Sequence, residues 1–279
     1  MILNEMNARE VYNEISRDLD KVRFKLKTEE AKARKAFARE YRFPKVYTTF
    51  YTVPVTRNKY LLWYVASNSH DESYMNLSGY ACLIPARGGS FGYGRIKLNG
   101  NPPDALFEKN ILHVYDYHFV DRYRERILKS KDESIHRAAA LMLARNPLCI
   151  VLDMKKEYNF RYKKYDGMVA LSIPEGLCFV NFGTPIINGM PDEDEGKDEL
   201  DRLHVILYNT ILSRSMMKPD QREQEKIDVR DFFYEGVKLG HFSDYDEADY
   251  LVEGWTDASR AIYETVRPFV TKFAIQNIQ

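Results

Sequence analysis

The run from His113 to Arg126 (HVYDYHFVDRYRER) holds the side chains of this chain best suited to chemistry. At about 100° per residue on a helix, His118, Arg122, Glu125 and Arg126 fall within roughly a third of the circumference. Phe119, Val120, Tyr123 and Ile127 fall on the adjoining face. One edge would then be apolar and packed. The other would present an imidazole beside two guanidiniums and a carboxylate. An imidazole moves protons near neutral pH. A guanidinium grips phosphate bidentately and stabilises charge that builds up on phosphorus. The set suits phosphoryl chemistry. The same spacing also makes a solvated face laced by contacts one turn apart, and both readings stand at this point.

A second run, Lys155 to Tyr165 (KKEYNFRYKKY), interleaves cations and rings. In a strand, Tyr158, Phe160 and Tyr162 share one face and Arg161 and Lys163 the other. Single-stranded nucleic acid is bound by such a mixture, cations on phosphates and rings on bases. An ordinary strand with an aromatic core face and a solvated basic face has the same pattern.

Other chemistries find little footing. His113 and His118 are five residues apart, so they do not form an i, i+4 ligand pair, and there is no HExxH or Cys/His cluster to hold a metal. No metal or cofactor is expected. No G-x-S-x-G marks a nucleophile elbow. Gly89, Gly92 and Gly94 fit neither G-x-G-x-x-G nor a P-loop, and tight turns explain them better. The acidic loop Asp192–Asp201 carries seven carboxylates but lacks EF-hand order.

The elements that must position these groups follow from periodicity. Val11, Ile15, Leu19, Val22 and Leu26 recur every three or four residues, and Ala33 and Phe37 continue the stripe, so residues 5–42 are expected to be one helix packed along one side. Its stripe could meet a partner protein or a second copy. Residues 45–100 read as strands with a turn at Thr56-Arg57-Asn58, residues 104–146 as two or three helical pieces, residues 148–187 as strands again, and residues from Pro219 onward as helices. The segment Leu203–Met217 starts as a strand and could end as strand or helix. Strands come in consecutive groups rather than alternating with helices. The expected class is α+β: antiparallel sheets with flanking helices, a long N-terminal helix and a helical C-terminal region. The corresponding division is residues 1–43, 44–217 and 218–279.

Composition sets the outer bounds. The 279 residues carry 41 Lys plus Arg against 41 Asp plus Glu, so a nucleic acid would have to be held by a local patch and not by a whole-molecule field. Charge is uneven: Arg17 to Lys45 holds eleven basic and five acidic residues. Three widely spaced cysteines, Cys82, Cys149 and Cys178, each in an apolar run, read as buried free thiols of a reducing compartment. There is no signal-peptide pattern, and no apolar run approaches the ~20 residues that span a bilayer. A cytoplasmic protein with no membrane partner is expected.

The pattern H-x3-R-x2-E-R on a helix, with strands downstream, resembles the small RNase toxins of the ParE/RelE-like kind over residues 113–215. In that resemblance the helix precedes an antiparallel sheet, and a late strand supplies Thr, Ser or Tyr to the site; here VILYNTILS brings Tyr208, Thr210 and Ser213. The resemblance implies a metal-independent, RNA-directed ribonuclease-like protein or a degenerate relative. His118 would be the acid or base, Arg122 and Arg126 would stabilise the phosphorane, and Glu125 would orient an Arg or the His. Thr210 or Tyr208 would contact the phosphate, and Arg161 and Lys163 would hold the RNA strand. Those toxins are usually far shorter. The other reading is a non-catalytic interaction protein, of the kind carried by a mobile element or phage. The two are separated by where His118 and Arg122 point.

Overall fold

The computed structural model describes residues 6, 8–43, 45–66, 78–84, 93–97, 111–115, 117–146, 149–152, 168–183 and 204–257. The class is α+β, with a long N-terminal helix. The chain divides into two compact units: Met1–Val120, Glu133–Ala144 and Phe182–Tyr208 form the first, and Asp121–Asp132, Arg145–Asn181 and Asn209–Gln279 the second.

In the first unit the helix α1 (Ala8–Phe37) is followed by strands β1 (Lys45–Thr52), β2 (Lys59–Ala66), β3 (Ser78–Ile84), β4 (Tyr93–Lys97) and β5 (Ile111–Tyr115). These pair antiparallel in chain order. The strand β9 (His204–Ser213) then lies parallel to β5, with Tyr115 opposite Tyr208. The expected apolar stripe of α1 is buried along its whole length, against Tyr60, Leu62 and Tyr64 of β2, Leu112 and Val114 of β5 and Val205 of β9. Burying a side chain of the Val, Leu or Phe kind stabilises by about 1.5–3 kcal/mol, so this stripe is the main attachment of the helix. The face expected to meet a partner is therefore covered by the sheet of its own unit.

Two carboxylates interrupt the stripe, and each is satisfied. Asp18, fully buried, accepts hydrogen bonds from Thr56 Oγ1 (2.8 Å), Asn58 Nδ2 (2.7 Å) and the Tyr60 hydroxyl (3.0 Å). The β1–β2 connection thus has its polar residues fixed by the helix, and Arg57 between them takes a left-handed φ of 60°. Glu29 is covered by Lys25 and Lys32. Lys45 Nζ, also buried, donates to the Phe37 carbonyl at 2.9 Å and so closes the helix C-terminus.

One expectation is corrected here. Residues 104–146 are not helical throughout: Ile111–Tyr115 is the strand β5. Its ILHVY alternation sends Leu112 and Val114 to the α1 side, while His113 meets Tyr208 on the other. After β5 come the helices α2 (Tyr117–Tyr123) and α3 (Ile135–Arg145).

The second unit holds β6 (Ile150–Leu152), β7 (Met168–Ile173), β8 (Gly176–Gly183) and the end of β9, in the order β9-β8-β7-β6. Helices α4 (Pro219–Lys238) and α5 (Tyr245–Glu253) cover one face, where Ile150, Ala170, Leu177 and Phe179 meet Val229, Phe232, Phe233 and Trp255. Within the segment expected to be strand or helix, His204–Ser213 is strand and Arg214–Met216 a 3-10 turn. Gly176 is required by close approach: a Cβ there would lie 2.1 Å from the Leu212 carbonyl oxygen. Cys178 is buried and Cys149 half-buried, and among the described residues neither is in a disulfide.

Candidate functional site

The helix carrying the sequence motif does not stay regular. After Tyr123 it continues as a π-helical turn, Arg124–Leu128, closed by Lys129 in the left-handed conformation with φ 51°. A π turn adds a residue to the α-helical repeat, so a face reckoned at 100° per residue holds only as far as Tyr123. Short π segments occur mostly as single turns, frequently at functional sites.

The consequence is a redistribution of the motif. Arg122 pairs with Glu125 (2.9 Å), with 37% and 40% of the two side chains exposed. Arg124 turns back to Asp121 at 2.6 Å. Arg126 instead reaches β9: its Nη1 donates to Thr210 Oγ1 at 3.2 Å and to the Ile211 carbonyl. So within the second unit two of the expected groupings are present, Arg122 with Glu125 and Arg126 with Thr210.

The root of this turn is fastened by Glu175 of the β7–β8 turn. Its carboxylate accepts from the Tyr123 hydroxyl (2.6 Å) and Asn146 Nδ2 (2.7 Å), its backbone N–H donates to Asn146 Oδ1 (3.1 Å), and Arg145 stands at 3.5 Å. Burial first, and then the adjacent Glu175 carboxylate, hold the Tyr123 phenol well above its ordinary pKa. It therefore stays a donor. Asn146 and Glu175 are distant in sequence, and nothing in their spacing announced the pairing.

A second polar group lies under α4. Ser172, fully buried on β7, donates to Glu225 and accepts from Trp255 Nε1 at 2.8 Å. Arg214 pairs with Glu225 and also donates to the carbonyls of Pro174 (3.1 Å) and Ile173 (3.0 Å). Burial raises the Glu225 pKa, against the opposing pull of Arg214. Its members point into the unit and fasten α4 to the sheet. Sequence reasoning did not reach it.

Two further candidates, His118 and Tyr208, belong to the first unit. His118 is exposed near the start of α2. Tyr208 is buried, its hydroxyl 3.1 Å from His113 Nδ1 and its ring stacked on Tyr115 at 4.3 Å between centroids. Phe119 closes that stack at 5.4 Å. Arg161 and Lys163 lie outside the described residues, as do Gly89, Gly92 and the acidic loop, while Gly94 falls in β4. Among the described residues no group of three or more His, Cys, Asp or Glu is placed to hold a metal ion, and no helix is long and apolar enough to cross a membrane.

No family model matches this chain, and neither a curated protein nor a solved structure matches it.

Proposed function

We propose that this chain is a metal-independent, RNA-directed ribonuclease-like protein that holds a phosphate at the π-helical turn of its second unit. The observation that supports this is the reach of Arg126 to Thr210, a helix guanidinium meeting a late-strand hydroxyl as the ParE/RelE-like resemblance implies. Arg122 lies on an exposed ion pair, worth at most about 1 kcal/mol, and a phosphate oxygen can replace Glu125 as its partner at small cost. In the reaction a base takes the 2′-hydroxyl proton, the 2′-oxygen bonds to phosphorus, the P–O5′ bond breaks and an acid protonates the leaving 5′-oxygen. The products are a 2′,3′-cyclic phosphate and a 5′-hydroxyl. His118 is the group assigned to proton transfer, and Arg122 and Arg126 to charge on the phosphorane.

The test is cleavage of labelled single-stranded RNA in EDTA. Wild type is expected to leave cyclic phosphate ends. His118→Ala is expected to lose about a hundredfold to ten-thousandfold in rate with binding kept. RNA bound but never cut would discard the ribonuclease part. It would leave the second reading, a non-catalytic interaction protein, which one observation favours: the Tyr208 hydroxyl is already engaged by His113 inside its unit.

A further inference from the structure

The face of α1 opposite the buried stripe has its own pattern. With Phe24 at the centre and about 100° per residue, Arg17, Lys21, Lys27, Lys32 and Lys35 all lie within about 80° of it. The exposed positions from Arg17 to Lys35 hold five cations and a single carboxylate, Asp20, and Arg39 is exposed just beyond the helix. Two of these cations are paired, Arg17 with Glu14 and Lys32 with Glu29, while Asp20 pairs with Arg23 and Glu30 with Arg34. Among the described residues, Lys21, Lys27, Lys35 and Arg39 make no ion pair. Two rings are exposed on the same segment, Phe24 at 70% and Tyr41 at 94%.

We infer that the outer face of α1 is a docking surface for single-stranded nucleic acid. From Arg17 to Lys35 the helix rises about 27 Å, a rigid row long enough to follow several phosphates. Cations spaced along a rod, with rings among them, are what a single strand uses: phosphates pair with the cations and bases stack on the rings. A membrane surface fits less well. An interfacial helix buries an apolar face in lipid, and the apolar face of α1 is already buried on its own sheet, leaving Phe24 alone outside. The surface belongs to the first unit and does not rest on the phosphate site assigned to the π turn.

The test uses the full chain and a labelled oligouridylate, with anisotropy read across a salt series. The variant carries Lys21→Gln, Lys27→Gln, Lys35→Gln and Arg39→Gln. Losing four phosphate contacts should reduce the slope of log affinity against log salt by about three, at ~0.7 per contact on a single strand, and weaken binding at least tenfold near 0.1 M salt. Phe24→Ala should weaken binding severalfold and leave the slope alone. All positions are exposed, so circular dichroism and melting temperature should match wild type. Wild-type affinity and slope in the fourfold variant overturn the proposal. So does wild-type protein that binds phosphatidylserine vesicles but not RNA. If the fourfold variant keeps its RNA affinity while Arg126→Ala loses it, this surface fails and the π-turn site stands. The reverse result supports this surface and removes the other.

Discussion

Glu29 in the first unit and Glu225 in the second expose almost nothing, 3% and 2% of their surface, yet their acidities move in opposite directions. Glu29 is held below the ordinary glutamate pKa, first by the hydrogen bond from Lys25, with Lys32 adding to it. Glu225 is held above it, because burial outweighs the attraction of Arg214. Depth and cover differ together: Glu29 lies just beneath two side chains, whereas Glu225 is deep in its unit. Glu29 is roofed by two lysine side chains whose ammoniums stand 2.6 and 2.9 Å away. Glu225 lies between a helix and a sheet and is solvated by one guanidinium and one hydroxyl. The first is a charged lid on a surface helix; the second is a polar knot inside a core.

The two tryptophans allow the units to be followed apart, since Trp63 lies in the first and Trp255 in the second. The largest effect is expected from Glu225→Ala. It strands Arg214 and Ser172 inside the unit and should cost about 3–5 kcal/mol in urea unfolding read by Trp255 in a Trp63→Phe background. Glu225→Gln should cost clearly less, because an amide keeps partners for both. A loss under 1 kcal/mol for the alanine variant would mean the knot is solvated and the contrast false. Glu29→Ala should cost only about 1 kcal/mol, because its lysines can turn to water. A loss as large as that of Glu225→Ala would erase the distinction between lid and knot.

The pH dependence sharpens the same contrast. A carboxylate with a lowered folded pKa contributes stability that is present above its unfolded value of 4.5 and lost as pH falls through the folded value. Glu29 should therefore lose its contribution below pH 4.5. For a raised pKa the folded state binds the extra proton, so stability falls as pH rises above 4.5 through the folded value. Wild type compared with Glu29→Gln, and wild type compared with Glu225→Gln, should give slopes of opposite sign against pH. Slopes of the same sign would show that the two covers act alike. The smallest effect on stability is expected from Arg122→Ala, within about 1 kcal/mol, because its pair with Glu125 is exposed.

Most of the secondary structure was legible because it follows from side-chain period. The α1 stripe, the strands of the β1–β2 hairpin and the strands β7 and β8 all follow a repeat of 3.6 or 2. The strand β5 was hidden because five residues ending in a helix start carry too few periods to separate from helix, and its parallel partner β9 is almost ninety residues away. The motif at His118, Arg122, Glu125 and Arg126 was legible as residue types but not as a face. The π turn begins after Tyr123, and no local signal distinguishes RERIL from a regular helix. The polar partnerships of Asp18, Glu175 and Glu225 each join distant segments, and pairing of that kind is fixed by the packing of the elements and not by spacing.

The phosphate site on the π turn is best judged by the RNA affinity of Arg126→Ala against that of Arg214→Ala, each measured in EDTA across a salt series with folding checked by circular dichroism. Arg126→Ala should stay folded, bind single-stranded RNA more weakly and lower the salt slope by about 0.7, one phosphate contact on a single strand. Arg214→Ala should unfold more easily, because it leaves Glu225 buried without its cation, and its folded fraction should bind RNA like wild type. Arg126→Ala with wild-type affinity and an unchanged slope would contradict the assignment, and Arg126 would then be, like Arg214, a fastener between helix and strand.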